Sequence, residues 1–310
     1  MLNLDEIEKN LIHTVADISE IPNGAYNFRV NGKSIGRNTN ENIDIKTKKA
    51  KSGIDVFVKA GVKNEVVHIP VIISVSGHKE AVYNDFYIGE NSDVTIVAGC
   101  GIYNCGADNS IHDGIHVFHI DKNSKVKYIE KHYGTGPGAD KILNPTTKLY
   151  LDESSYAELE LEQLKGVDST NRTTIASLKK DAKIRIEERL LTHGRQHAKS
   201  LIKVSLNGKN SSADIISRSV ARDFSNQDFK LHIIGKTACH GHSECDAIIM
   251  DKAKVLATPS LDAKCLDAEL IHEAAIGKIA GRELDKLMTL GLTRAEAEAQ
   301  IINGFLNLSV

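Results

Sequence analysis

Ile88-Gly-Glu-Asn-Ser-Asp-Val94-Thr-Ile96 decides the fold, because the chain keeps returning to its pattern. An aliphatic residue leads into a short polar turn, and apolar positions then alternate with polar ones. The pattern recurs as Ile120-Asp-Lys-Asn-Ser-Lys-Val126-Lys-Tyr128, as Leu151-Asp-Glu-Ser-Ser-Tyr-Ala157-Glu-Leu159 and as Leu178-Lys-Lys-Asp-Ala-Lys-Ile184-Arg-Ile186. Weaker copies start at Leu206 and Met250. The clear copies stand roughly 27 to 32 residues apart, a spacing typical of solenoids and propellers. Alternation after each turn is the period of a half-buried strand. One such unit cannot bury its apolar face alone, whereas stacked copies can. Each copy has room for two or three short strands, with no helical period between them. The chain therefore reads as mainly β, with a right-handed parallel β-helix core whose coils pair edge to edge. An antiparallel sandwich with similar turns is the competing reading.

The two ends differ from the middle. Leu4, Ile7, Leu11 and Val15 fall at helical spacing, and a helix there would cap the open end of the stack. Arg282 to Leu290 reads as a short helix with Leu284, Leu287 and Met288 on one face, stopped by Gly291. Thr293-Arg-Ala-Glu296 is a capping box that opens a second helix carrying Ala297, Ile301, Ile302 and Phe305. The expected organisation is an N-terminal helix and cap over residues 1–50, a β-helix core over 51–280, and a C-terminal helical subdomain over 281–310.

Composition narrows the function classes. Net charge is −2, so neither nucleic acid nor an anionic membrane is expected as the main partner. No stretch approaches the roughly 20 apolar residues that span a bilayer. The opening Met1-Leu2-Asn3-Leu4-Asp5-Glu6 turns acidic at once, unlike a signal peptide, which leads to a cytoplasmic expectation. Five cysteines, an odd number, read as free thiols in a reducing compartment.

Two glycine-rich stretches suggest a phosphate loop and fail. Gly134-Thr-Gly136-Pro-Gly138 is followed by a misplaced Lys141, and Gly235-Lys236-Thr237 lacks the leading glycine, since Lys230 stands there. This chain is not expected to bind nucleotide or to hydrolyse ATP. Cys239-His240-Gly-His242-Ser-Glu-Cys245 is a dense set of soft and imidazole donors suited to zinc or iron–sulfur clusters, but no second pair completes a finger. Cys265 and His272-Glu273 follow and add a thiol, an imidazole and a carboxylate. Buried cysteines also serve as small hydrophobes, and that plainer reading stays open. Cys100 and Cys105 precede His112 and His116, which a parallel stack would place on neighbouring coils. Along Ile115-His116-Val117-Phe118-His119-Ile120 the alternation reads as a strand with outward histidines.

From about Ile215 onward the sequence resembles the SufB/SufD family of iron–sulfur cluster assembly scaffolds. The resemblance rests on Ile215-Ile-Ser-Arg-Ser, Cys245-Asp246, Thr258-Pro259 and His272-Glu273-Ala274. It extends through the closing run Gly291-Leu-Thr-Arg-Ala-Glu-Ala-Glu-Ala-Gln-Ile-Ile-Asn303-Gly304-Phe305. The middle, including Val126-Lys-Tyr-Ile129, is similar too, while the N-terminal region is shorter than in long relatives.

The resemblance implies a β-helical core flanked by helices and a pairing of cores, as a SufB–SufD heterodimer or as a homodimer, the homodimer being expected here. It also implies C-terminal helices that dock a SufC-like ABC ATPase; from the apolar residues of those helices, Leu287, Ile301, Ile302 and Phe305 are the expected contacts. A transient iron–sulfur cluster would form near the core-to-core interface on Cys245, His272 and Glu273. Cys265, Cys239 and His242 are possible further ligands from the local donor cluster alone, since the resemblance does not clearly match Cys239 and Cys265. The chain would be a scaffold and not an enzyme, with ATP hydrolysis confined to the partner. Where the SufB branch carries a core cysteine that accepts sulfur, Asp152 stands here. A SufD-like structural subunit without an essential cluster ligand is the alternative. A polysaccharide-cleaving β-helix is a third reading.

Overall fold

The repeated turn has one geometry. Asn91, Asn123, Ser154 and Asp181 all adopt left-handed backbone, with φ of 58°, 56°, 57° and 57°. Asn and Asp favour that region because their short polar side chains bond locally. The next residue is buried each time, and Ser92 and Ser124 donate through Oγ to the carbonyls of Lys59 and Gly89, at 2.8 and 2.7 Å. These two corners are thereby tied to the coil before them.

The computed structural model describes residues 4–307. The chain is 58% strand and winds into a β-solenoid of about eight turns. Its first strands are β1 (Ala25–Val30), β2 (Lys33–Asn38), β3 (Ile43–Thr47), β4 (Gly53–Val58), β5 (Glu65–Ile73), β6 (Lys79–Ile88) and β7 (Asp93–Tyr103). The middle coils hold β8 (Ser110–Ile120), β9 (Lys125–Thr135), β10 (Lys141–Leu143), β11 (Thr146–Leu151), β12 (Tyr156–Lys165) and β13 (Ser169–Leu178). The last are β14 (Lys183–Thr192), β15 (His197–Leu206), β16 (Ser212–Ala221), β17 (Asn226–Gly235), β18 (Cys239–Ile249), β19 (Lys254–Ala263) and β20 (Ala268–Gly277).

These strands form two ten-stranded sheets, each coil contributing one strand to either sheet. The first sheet runs β2-β1-β5-β7-β9-β12-β14-β16-β18-β20, and the second runs from β3 and β4 through the alternate strands to β19. Pairing is parallel throughout the solenoid, but β1–β2 and β3–β4 are antiparallel. The start of the stack is therefore closed by two strands that double back, and these lie within the first fifty residues. At the other end β19 and β20 leave both sheet edges unpaired among the described residues.

Inward side chains divide the interior lengthwise. One half is apolar, with Phe86 stacked on Phe118 at 4.3 Å and Tyr128 reaching Phe118 from the opposite sheet at 5.0 Å. The other half is polar. Arg172 donates to Glu130 at 2.8 Å and lies 3.5 Å from Glu188, all three buried.

The N-terminal helix α1 (Glu6–Ala16) starts at a capping box between Asp5 and Glu8. It buries Leu11, Ile12, Val15 and Ala16, whereas Ile7 remains exposed. It does not cap the stack. It lies along the outer face of the first sheet, where Gly99 and Gly101 of β7 make room: a side chain at Gly99 would stand 2.3 Å from the Val15 carbonyl. At the C-terminus α2 (Gly281–Thr289) and α3 (Arg294–Phe305) are separated by Gly291, whose φ is +98°, and Thr293 and Glu296 form the capping box.

Candidate functional site

The last coils gather most of the ligand-type residues. In register, Ser217, Cys245 and Ala274 form one rung across β16, β18 and β20. Ser243 pairs with His272, and Glu244 with Glu273. Side chains alternate along a strand. Cys245, Ser243 and His272 therefore point into the solenoid, while His242, Glu244 and Glu273 point out.

Cys245 is 6% exposed. Burial pushes its thiol far above the usual range, and the nearby carboxylates of Glu188 and Asp246 push the same way. Glu188, two coils below, accepts from Ser200 at 2.7 Å and from Ser217 at 3.2 Å. His272 is the diagonal neighbour of Cys245 on the inner face, about 7 to 8 Å away by sheet geometry. Its Nδ1 lies 2.8 Å from Ser243 Oγ, and its Nε2 is buried with no partner among the described residues. Burial lowers its pKa, and His242 adds to the effect.

On the outer face His242 sits between two carboxylates. Its Nδ1 is 3.0 Å from Asp214 and its Nε2 is 3.8 Å from Glu273. The hydrogen bond to Asp214 raises the His242 pKa against its partial burial. Burial raises Asp246 as well, and its hydrogen bond to Glu244 reinforces the shift. The structure thus brings Cys245 and His272 together inside and places Glu273 with His242 outside.

Cys239 also points inward, its sulfur packed against Gly235. Cys265 lies on the turn between β19 and β20. Burial raises the Cys239 thiol and the neighbouring Cys265 raises it further. Among the described residues no three His, Cys, Asp or Glu side chains already surround one metal position. The last coil carries exposed Leu256, Leu261, Leu266, Ile271 and Ile276 beside its unpaired edges.

Other expectations fare differently. Asp152 lies on a corner turn, paired with Lys179 at 2.9 Å, outside the interior. Gly136 and Gly138 pack against the backbone of Asn104 and Gly106, and Lys141 pairs with Asp168 at 2.9 Å, so this stretch is a corner of the solenoid. Ile302 is buried with Val220 and Leu306, anchoring α3 to the core, and Ile301 and Phe305 are half-buried. Leu287 is half-buried, while Met288 and Leu290 beside it are exposed.

The outward reading of the β8 histidines needs correction. His119 faces out, but His112 and His116 face in and are buried. Parity held that information: His116 is two residues before Phe118, so both share the core side. Arg172, Glu130 and Glu188 were missed for the opposite reason, since charged residues in alternation normally mark the solvent face.

The description "SUF system FeS cluster assembly, SufBD core domain" matches residues 75–305. An iron–sulfur cluster assembly SufBD family protein of Methanocaldococcus jannaschii is 30% identical over 256 residues, covering 81% of this chain and 79% of that protein. One from Archaeoglobus fulgidus is 30% identical over 234 residues, 75% of this chain and 62% of the relative. One from Methanothermobacter thermautotrophicus is 28% identical over 251 residues, and there the chain spans 56% of the relative's length. No helix among the described residues is long and apolar enough to cross a membrane.

Proposed function

The chain belongs to the SufBD family of iron–sulfur cluster assembly proteins, and from that premise we propose that it is a scaffold subunit on which a cluster is built and released. The observation that carries this reading is the pair Cys245 and His272. A thiol and an imidazole with an unpartnered nitrogen share the inner face at the open end of the solenoid. The donor types fit an iron–sulfur cargo: thiolate holds iron strongly, and nitrogen or oxygen ligands leave a cluster more labile. The thiol is held protonated by burial, so iron binding there releases a proton. Glu273, on the outer face, would act from a second side of the same strand. Asp152 supplies neither a thiol nor an interior group, so we assign it no role in sulfur delivery.

The unpaired edges of β19 and β20 and their exposed leucines and isoleucines support a homodimer joined through the last coils. Such pairing would cover the edges and enclose the site. A SufC-like ATPase would dock on α2 and the α2–α3 turn, where Met288 and Leu290 are exposed. ATP hydrolysis would then reside in that partner, and its motion would open the interface. Anaerobic reconstitution with iron and sulfide tests the scaffold role. A chain that docks the ATPase yet holds no cluster is a SufD-like structural subunit instead.

A further inference from the structure

The start of the solenoid holds a cavity that the cluster reading does not use. It is lined from β1 and β2 of the first sheet and from β3, β4 and their connecting turn in the second, at the opposite end of the stack from Cys245. Its volume is about 220 Å³. That is far above the roughly 10–15 Å³ that admits one water, and below the roughly 300–1,000 Å³ typical of drug-sized ligands. The floor is apolar, with Ile69, Val71 and Val82.

Arg29, Arg37, Lys48 and Lys51 line the cavity. Carboxylates match Arg29 and Lys48. Arg29 donates through Nε to Glu80 at 2.8 Å, and Lys48 pairs with both Asp55 and Asp85. Arg37 and Lys51 have no carboxylate partner among the described residues. Arg37 donates through Nε to Asn27 Oδ1 at 2.9 Å, and through Nη1 to Thr47 Oγ1 at 2.8 Å and the Ile45 carbonyl at 3.5 Å, all neutral acceptors. Burial lowers the Arg37 pKa, yet a guanidinium stays charged at any working pH. Lys51 lies over the Tyr83 ring at 4.2 Å.

Neutral side chains add donors. Asn27 Oδ1 accepts from Arg37 Nε and from Ser34 Oγ, and Asn84 Oδ1 accepts from the Ile54 amide at 3.1 Å. Arg37 Nε–H and the Ile54 N–H can only donate, so each amide oxygen is where it must be. The amide NH2 groups of Asn27 and Asn84 then have no acceptor among the described residues, although both residues are more than nine-tenths buried. Arg29 uses Nε and Nη2, the latter toward Ser52 at 2.8 Å, which leaves Nη1 over. Surplus donors and unmatched positive charge above an apolar floor are complementary to an oxyanion, and the low local dielectric strengthens the attraction.

We infer that this cavity binds a small oxyanion, a phosphate or a short polycarboxylate, through Arg37 and Lys51, with Arg29, Asn27 and Asn84 as further donors. The planar fork of a guanidinium suits the paired oxygens of either group. The inference is independent of the cluster reading for Cys245.

The test uses the full chain in a phosphate-free, low-salt buffer, titrated calorimetrically with inorganic phosphate and, separately, with citrate. Saturable binding of one anion per chain is expected for at least one of the two, with a rise in melting temperature. The tighter of the two identifies the group that the site takes. Arg37→Gln should weaken that binding by about 10-fold or more, and Arg37→Lys, which keeps the charge and loses the fork, should fall between. Lys51→Gln, on the exposed side of the cavity, should weaken it about 3-fold at unchanged melting temperature. No saturable binding of either anion at millimolar concentration, or equal affinity in the parent and Arg37→Gln, would overturn the inference. Should Arg37→Gln fail to fold, Lys51→Gln decides: unchanged affinity rejects the site.

Discussion

Ser243 and His272 face each other across β18 and β20, with Oγ and Nδ1 2.8 Å apart. The Ser243 hydroxyl also points toward the Ile271 carbonyl, at 3.5 Å. In the tautomer with the proton on His272 Nδ1, Ser243 accepts from it and the buried Nε2 presents a lone pair. Ser243 thus holds the angle of the imidazole. Ser243→Ala is expected to lower iron affinity at the last coil by about 10-fold or more, with little change in melting temperature. Iron titration of the two proteins checks this, and equal affinities would make the contact merely structural.

Arg172 neutralises two carboxylates inside the solenoid, Glu130 at 2.8 Å and Glu188 at 3.5 Å. Removing one partner of a buried ionic group leaves uncompensated charge and costs about 3–5 kcal/mol. Arg172→Leu should therefore lower stability by about that amount in urea unfolding. Adding Glu130→Gln and Glu188→Gln should restore much of the loss.

Asn123 tests the repeat itself. Its φ of 56° is strained for residues with an ordinary side chain. Asn123→Ala should cost about 1–2 kcal/mol, whereas Asn123→Gly should stay within about 0.5 kcal/mol of the parent. Equal losses for the two would mean that the side chain matters more than the backbone.

The C-terminal helices separate anchoring from docking. Ile302 is 4% exposed and Leu290 is 76% exposed. Ile302→Asp should lower the melting temperature by loosening α3 from Val220. Leu290→Asp should leave melting unchanged and weaken co-purification of a SufC-like ATPase by about 10-fold or more. Retention of the ATPase by Leu290→Asp would move the docking surface elsewhere.

The solenoid was legible because one turn recurs, and its left-handed Asn, Asp and Ser positions mark the corners. The capping boxes and Gly291 likewise announced the helices. The placement of α1 was not legible. An amphipathic helix looks the same whether it covers an end or a flank, and only Gly99 and Gly101 hinted at the flank. The residues of the candidate site were legible as types, but their division was not used. His272 and Glu273 are adjacent in sequence, and strand alternation sends adjacent side chains to opposite faces. Ion pairs such as Arg172 with Glu130 join positions 42 apart and become visible only once the coils stack.

The central claim is that Cys245 carries the cluster at the open end of the solenoid. The most direct measurement is iron and sulfide content per chain after anaerobic reconstitution of the parent and Cys245→Ala, with melting curves as the folding control. The account predicts a cluster spectrum in the parent and its loss in a Cys245→Ala protein that melts normally. Equal iron and sulfide in the two proteins would contradict it.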